Sequence, residues 1–212
     1  MYAVVDACAL INCSMIQAVN VPLLTKLARY VELLIPQEVF NELVKTTQKK
    51  RYAPYRNSLI ALAKAHTSAV CDTIYAKCLD VVNEWCNALP LLHTRKPHLG
   101  EIHCAALAMF VSSNENCPVF IITDDFHATN PINNLVIDQQ VGIVQSTYEA
   151  ILRVFREDSS LGIGQIRTIF LDYLSVMTGM KPYRKQQLMR KTRLLCRTIG
   201  MRQGLCGMDC RA

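Results

Sequence analysis

The sequence has no Cys-x2-Cys pair, no Gly-x-Gly-x-x-Gly run and no Gly-x-x-x-x-Gly-Lys-Ser/Thr run. The first absence leaves its ten cysteines without a common zinc or redox spacing, and the other two remove support for a nucleotide-cofactor site. An unbroken apolar run of membrane length is missing too. Residues 7 to 25 are uncharged, but Asn12, Ser14, Gln17, Asn20 and Pro22 interrupt them and Asp6 precedes them in place of a basic stretch. That pattern is neither a membrane span nor a secretory signal, so a reduced, cytoplasmic compartment with no membrane partner is expected.

Acidic residues are almost absent from the C-terminal end. Residues 181–212 hold nine Lys/Arg against the single Asp209, whereas residues 1–180 hold 14 Lys/Arg against 16 Asp/Glu. A nearly neutral globule with a basic tail predicts a polyanionic partner, nucleic acid ahead of an anionic membrane surface. A solubilising terminal helix is the alternative. Lys181, Arg184, Lys185, Arg190 and Lys191 are the candidate phosphate contacts, giving affinity that depends on salt and little on sequence. Lys49, Lys50 and Arg51, followed by Tyr52 and Tyr55, make a second basic and aromatic patch, read either as a base-stacking surface or as a solvated turn.

What the chain does contain is ample apolar content, 51%, enough for one domain with an appendage. Short apolar runs at 2–5, 32–35, 118–123 and 141–145 read as strands. Helical patterns near 7–18, 22–30, 37–49, 54–67, 71–88, 100–112 and 131–140 lie between them. The alternation predicts an α/β fold with a parallel sheet and helices on both faces. The segments 54–67 and 71–88 form a helical insert, and two further helices precede the basic tail. Cys71, Cys78 and Cys86 interleave with Ile74, Tyr75, Val82 and Trp85 at helical spacing and read as core. Cys196, Cys206 and Cys210 lack a fourth ligand at a usual zinc spacing.

Ligands of such sheets collect at the carboxyl ends of the strands, where strand order reverses. Asp6 ends one apolar run, and "FIITDD" ends another on Asp124 and Asp125. On the helix after residue 36, Val39, Phe40, Leu43 and Val44 form the apolar stripe, which puts Glu42 at its edge and turns Glu38 toward solvent. Glu101 lies in the first turn of "HLGEIHCAALA", beside the small residues Cys104, Ala105 and Ala108. Each acid alone has a structural explanation: Asp6 as a helix cap, Glu42 as a solvated charge, Glu101 as a partner of the helix dipole. Four or five carboxylates in one crevice would repel one another, and the usual remedy is a hard divalent cation, Mg²⁺ or Mn²⁺.

The stretches "VVDACALIN", "IPQEVFNEL", "LGEIHCAALA" and "FIITDD", in this order, resemble the PIN-domain nucleases, in particular prokaryotic members whose third motif begins Gly-Glu. The resemblance implies a three-layer α/β/α fold with four or five parallel strands, a PIN-like domain over residues 1–157 and a helical, basic extension over 158–212. It also implies a metal-dependent nuclease, most readily an endoribonuclease. Asp6, Glu42, Glu101 and Asp125 match the family's acidic quartet by position. Asp6, Glu101, Asp124 and Asp125 are the implied metal ligands, with Asn12 orienting a carboxylate or a phosphate. Many relatives are toxins of toxin–antitoxin pairs, so an antitoxin protein and a homodimer are family-level expectations. The family often carries a basic residue soon after the last acids, whereas Phe126, His127 and Ala128 follow here. A noncatalytic nucleic-acid- or protein-binding module stays open as the alternative. A phosphohydrolase on a similar sheet is disfavoured, because Ala7 and Cys8 follow Asp6 where an Asp-x-Asp motif would be needed.

Overall fold

The computed structural model describes residues 1–68, 70, 72–88, 97–125, 129–177 and 182–202. Its first half runs β1 (Tyr2–Val5), α1 (Ala7–Met15), α2 (Leu23–Leu27), β2 (Glu32–Pro36), α3 (Gln37–Thr46), α4 (Arg56–Ala65), β3 (Thr67–Ser68) and α5 (Thr73–Ala88). The second half runs α6 (Leu99–Glu115), β4 (Val119–Ile122), α7 (Thr129–Asp138), β5 (Gly142–Gln145), α8 (Thr147–Glu157), α9 (Ile163–Val176) and α10 (Pro182–Arg202).

The strands form a five-stranded, wholly parallel sheet in the order β3-β2-β1-β4-β5. Strand runs this short and this apolar must be covered on both faces, and helices do so in a three-layer α/β/α arrangement. On one side α5, α6 and α7 pack together, with α6 lying across β1, β2 and β4. Buried Cys104, Ala105, Ala106 and Ala108 let that helix approach the sheet closely. On the other side α1 packs against α2, α8 and α9.

The chain moves outward from β1 through β2 to β3, then returns to the other side of β1 and moves outward again through β4 to β5. Strand order therefore reverses between β1 and β4. Val5 pairs with Ile122 in register, and the Asp6 N–H donates to the Ile122 carbonyl at 2.9 Å. The residues just past both strands thus face the same crevice.

Strand β3 begins on Thr67, the last residue of the segment read as a helix over 54–67. It holds only Thr67 and Ser68, paired with Ile35 and Pro36, and two polar residues at a sheet edge carry no apolar alternation to betray them. The expected helix 7–18 stops at Met15, and the chain turns through Val19 and Asn20 with φ of 57° and 62°, a region that is unfavourable for a β-branched residue. Gly142 answers a close approach instead: a Cβ there would lie 1.9 Å from the Val119 carbonyl oxygen, so only glycine lets β5 start beside β4.

The buried face of α5 contains Cys78, Val82 and Cys86 as expected, but Ile74 is 45% exposed. Cys71, Cys206 and Cys210 lie outside the described residues. α9 sends Ile166, Ile169, Phe170 and Tyr173 into the same core as β1 and β4, so packing is continuous across the expected boundary at 157/158. Among the described residues, no helix is long and apolar enough to cross a membrane.

Candidate carboxylate site

Asp6 follows β1 directly and is only 4% exposed. Its Oδ2 accepts a hydrogen bond from the Thr123 hydroxyl at 3.2 Å, and the same hydroxyl oxygen accepts the Asp125 N–H at 3.1 Å. One threonine therefore ties the end of β1 to the end of β4 and fixes the spacing of the two aspartates. Burial pushes the Asp6 carboxyl up to about 6. The Ala7 N–H opposes that rise, the Glu42 charge adds to it and the Thr123 hydroxyl opposes it. Among the described residues, no lysine, arginine or histidine forms an ion pair with Asp6.

The two adjacent aspartates have different surroundings. Asp124 is buried, with both oxygens occupied: Oδ1 accepts the Thr147 N–H at 2.9 Å, and Oδ2 accepts the Thr147 hydroxyl at 2.5 Å and the Asn12 amide at 2.6 Å. It joins α1, β4 and the N-terminus of α8, where a carboxylate also suits the helix dipole. Asn12 orients this carboxylate, with Met177 Sδ 3.0 Å from the same amide nitrogen. Asp125 is half-buried.

The two glutamates also differ from each other. Glu101 is buried in the first turn of α6, and its Oε2 accepts the N–H of the N-cap residue His98 at 2.6 Å. The carboxylate thus works as the reciprocal half of a capping box. Glu42 is exposed on α3, yet its Oε2 lies only 2.9 Å from where a Cβ on Gly100 would sit, and Asp6 Oδ1 lies 3.9 Å from that same point. Gly100 leaves room for two carboxylates on one wall.

Two thiols register the collected charge. Cys8 is pushed up to about 12, first by desolvation and then by Asp6, Asp125, Glu42 and Asp124. Cys104 is raised well above its usual range, first by burial and then by Asp6, Glu101 and Glu42. All five acids are thus electrostatic neighbours at the switch point. Even so, among the described residues no three His, Cys, Asp or Glu side chains are disposed to hold a metal ion as they stand. Two of the five acids explain this, since Glu101 and Asp124 point their oxygens at protein N–H and O–H groups. Asp6, Glu42 and Asp125 are the carboxylate donors that suit a hard divalent cation.

Glu38 corrects the helical-wheel expectation. It faces α6, where its Oε2 lies 3.1 Å from His103 Nδ1, and the Tyr75 hydroxyl approaches that nitrogen at 2.7 Å. The wheel of an isolated α3 cannot show that a second helix covers this side. In the patch at 49–55 only one of the two tyrosines is buried, and Tyr55 stays exposed. Tyr52 is buried beneath the Arg51 guanidinium, 4.5 Å from its ring centroid, while Lys49, Lys50 and Arg51 face solvent.

On α10, Lys185 is half-buried and Arg190 and Lys191 are exposed, while Leu188 and Thr192 turn toward the body of the protein. Arg184 lies on the same helix, and Lys181 and His127 fall outside the described residues. Reading the sequence missed Thr123 and Thr147. Their only signal was a hydroxyl residue directly before the acidic pair and another opening the helix after β5. No protein-family model, curated protein or solved structure matches the chain.

Proposed function

We propose that the chain is a divalent-metal-dependent nuclease of PIN-like type, an endoribonuclease that hydrolyses phosphodiester bonds to leave a 5′-phosphate and a 3′-hydroxyl. One observation carries this reading: Asp6, buried at the switch point with no ion-pair partner among the described residues, is tied through Thr123 to Asp125. A buried carboxylate is costly unless a positive charge meets it. Asp6, Glu42 and Asp125 would hold Mg²⁺ or Mn²⁺, oxygen-seeking cations that keep open positions for substrate. Such a cation, when bound, supplies an electrophile at the scissile phosphate and neutralises charge on the leaving oxygen.

The chain's own part is positioning. Thr123 holds Asp6 and the Asp125 backbone at fixed spacing, and Asp124 locks α1 and α8 behind them. Gly100 keeps a side chain out of the space between Asp6 and Glu42. The basic face of α10 supplies phosphate contacts for the polynucleotide. Service as a toxin held by an antitoxin, and a homodimeric state, accompany this proposal as expectations of the resemblance.

The test incubates purified protein with mixed single-stranded RNA and DNA in Mg²⁺, Mn²⁺ or EDTA, beside Asp6→Asn and Asp125→Asn. Metal-dependent cleavage lost in both variants is the expected result. Folded protein that binds no Mn²⁺ and cuts nothing would sink the proposal. The second reading, a noncatalytic nucleic-acid-binding module, would then stand, favoured by the structural use of Glu101 and Asp124.

A further inference from the structure

Thr123 belongs to two places at once. Its hydroxyl ties Asp6 to Asp125, and it also lines a cleft of about 550 Å³ that opens past the carboxyl ends of β4 and β5. The cleft begins where the acids end. Its far wall is α10, which contributes Gln187, Leu188 and Lys191. The size falls within the roughly 300–1,000 Å³ range usual for small-ligand sites.

The chemistry of the walls is particular. Gln145, at the end of β5, lines the cleft, and its Oε1 is buried and, among the described residues, without a hydrogen-bond partner. An amide oxygen sequestered from water and left unbonded is costly, and a ligand donor that meets it recovers that cost. Asn133 and Gln187 add two more amides. Tyr148 and Tyr173 form an aromatic wall, 6.3 Å apart by ring centroids, with Phe170 behind Tyr148 at 4.9 Å. Among the described lining residues two are charged, Glu149 and Lys191. The Glu149 carboxylate is bound by the Ser146 N–H and hydroxyl at the N-cap of α8, whereas Lys191 is exposed at the rim.

Amides, a buried acceptor and aromatic rings beside a lysine match an unpaired nucleotide, because bases combine a flat face with hydrogen-bonding edges and carry a phosphate at one end. We infer that this cleft is a nucleotide subsite next to the cleavage position, an inference that rests on the nuclease reading. In this subsite Lys191 meets the backbone phosphate, the tyrosines border the base, and Gln145 Oε1 accepts from an exocyclic amine. Adenine and cytosine carry such an amine, whereas uracil places the O4 carbonyl, an acceptor, where cytosine has its amine, so the subsite selects against uracil. α10 is therefore more than a sequence-blind basic tail: it closes one side of a selective pocket.

Binding in EDTA separates the subsite from catalysis. Fluorescein-labelled RNA hexamers of A, C or U are titrated into wild type, Gln145→Leu and Lys191→Glu, with folding checked by thermal unfolding. Wild type is expected to bind the A and C hexamers roughly tenfold more tightly than the U hexamer. Gln145→Leu should erase that preference with its fold retained, since the change removes an unbonded buried amide. Lys191→Glu should weaken all three by about tenfold with the preference kept. Equal binding of the three hexamers by wild type, unaltered preference in Gln145→Leu, or no binding at all overturns the subsite. Mg²⁺-dependent cleavage lost in Asp6→Asn would then leave the nuclease proposal intact. If the variants shift binding as expected and wild type never cleaves, the nuclease reading fails and the pocket stands as a binding site.

Discussion

Two aspartates in this protein are buried to a similar degree, Asp6 at 4% and Asp158 at 8% exposure, and their environments push them in opposite directions. Asp158 lies 2.6 Å from the Lys26 ammonium. That hydrogen bond, followed by the Ser160 hydroxyl, holds its carboxyl down at about 2. Among the described residues Asp6 has neighbouring carboxylates and no cation paired with it, and it is pushed up to about 6, chiefly by burial. The chain can supply a buried cation where structure alone is at stake, as it does between α2 and the end of α8. At the switch point, among the described residues, none pairs with Asp6. The contrast marks Asp158 as a finished ion pair, while under the proposed function Asp6 is half of one that a divalent cation would complete.

The largest expected effect tests the finished pair. Lys26→Ala should cost about 3–5 kcal/mol of stability by leaving Asp158 buried and unpaired, whereas Lys26→Met combined with Asp158→Leu should recover most of that loss; denaturant titrations measure both. The pair's contribution should be present above the ordinary carboxylate value and disappear as pH falls toward 2, because the folded state holds Asp158 below its usual range. Next comes the unfinished half: Asp6→Asn and Asp125→Asn should each lower Mn²⁺-dependent cleavage by roughly 100- to 1,000-fold without loss of fold.

In metal-free protein the same Asp6→Asn change should stabilise, by about 2–3 kcal/mol at neutral pH. A carboxyl raised in the folded state favours the protonated form. The Asp6 contribution to wild-type stability should therefore be greatest below 3.8, fall as pH rises from 3.8 to about 6, and stay low above that. A melting series in EDTA across this range should show the fall in wild type and not in the variant, and added Mn²⁺ should raise only the wild-type midpoint. A smaller effect belongs to the clamp, where Thr147→Val keeps the backbone bond to Asp124 but loses the hydroxyl, at about 1 kcal/mol by denaturant titration. Smallest for stability is Gly100→Ala, within about 1 kcal/mol and stabilising if helix propensity wins. It should still slow cleavage, because the new methyl displaces the Glu42 carboxylate.

Much of this was legible in the chain. The four longer strands are apolar runs bounded by polar residues or proline, and the α/β alternation placed Asp6 and the Asp124–Asp125 pair at strand ends correctly. The two-residue strand at Thr67 was not legible, because an edge strand that short has no pattern. Glu38 was misjudged because a wheel knows one helix, and the partner that covers it, His103, arrives from α6. Which of the adjacent aspartates turns inward was also out of reach. That choice is made by Thr147 and Asn12, and nothing in "FIITDD" refers to either.

The Asp124 clamp draws together residues 112 positions apart on one side and 23 on the other. Closure over such separations is slow and entropically opposed, and it is rewarded only when every participant is present. A chain emerging from the ribosome displays all its crevice acids once residue 125 is out, yet lacks the first turn of α8 that locks them. The order of synthesis thus delays the finished crevice until after β5, and fragments ending before Thr147 carry the acids without the clamp.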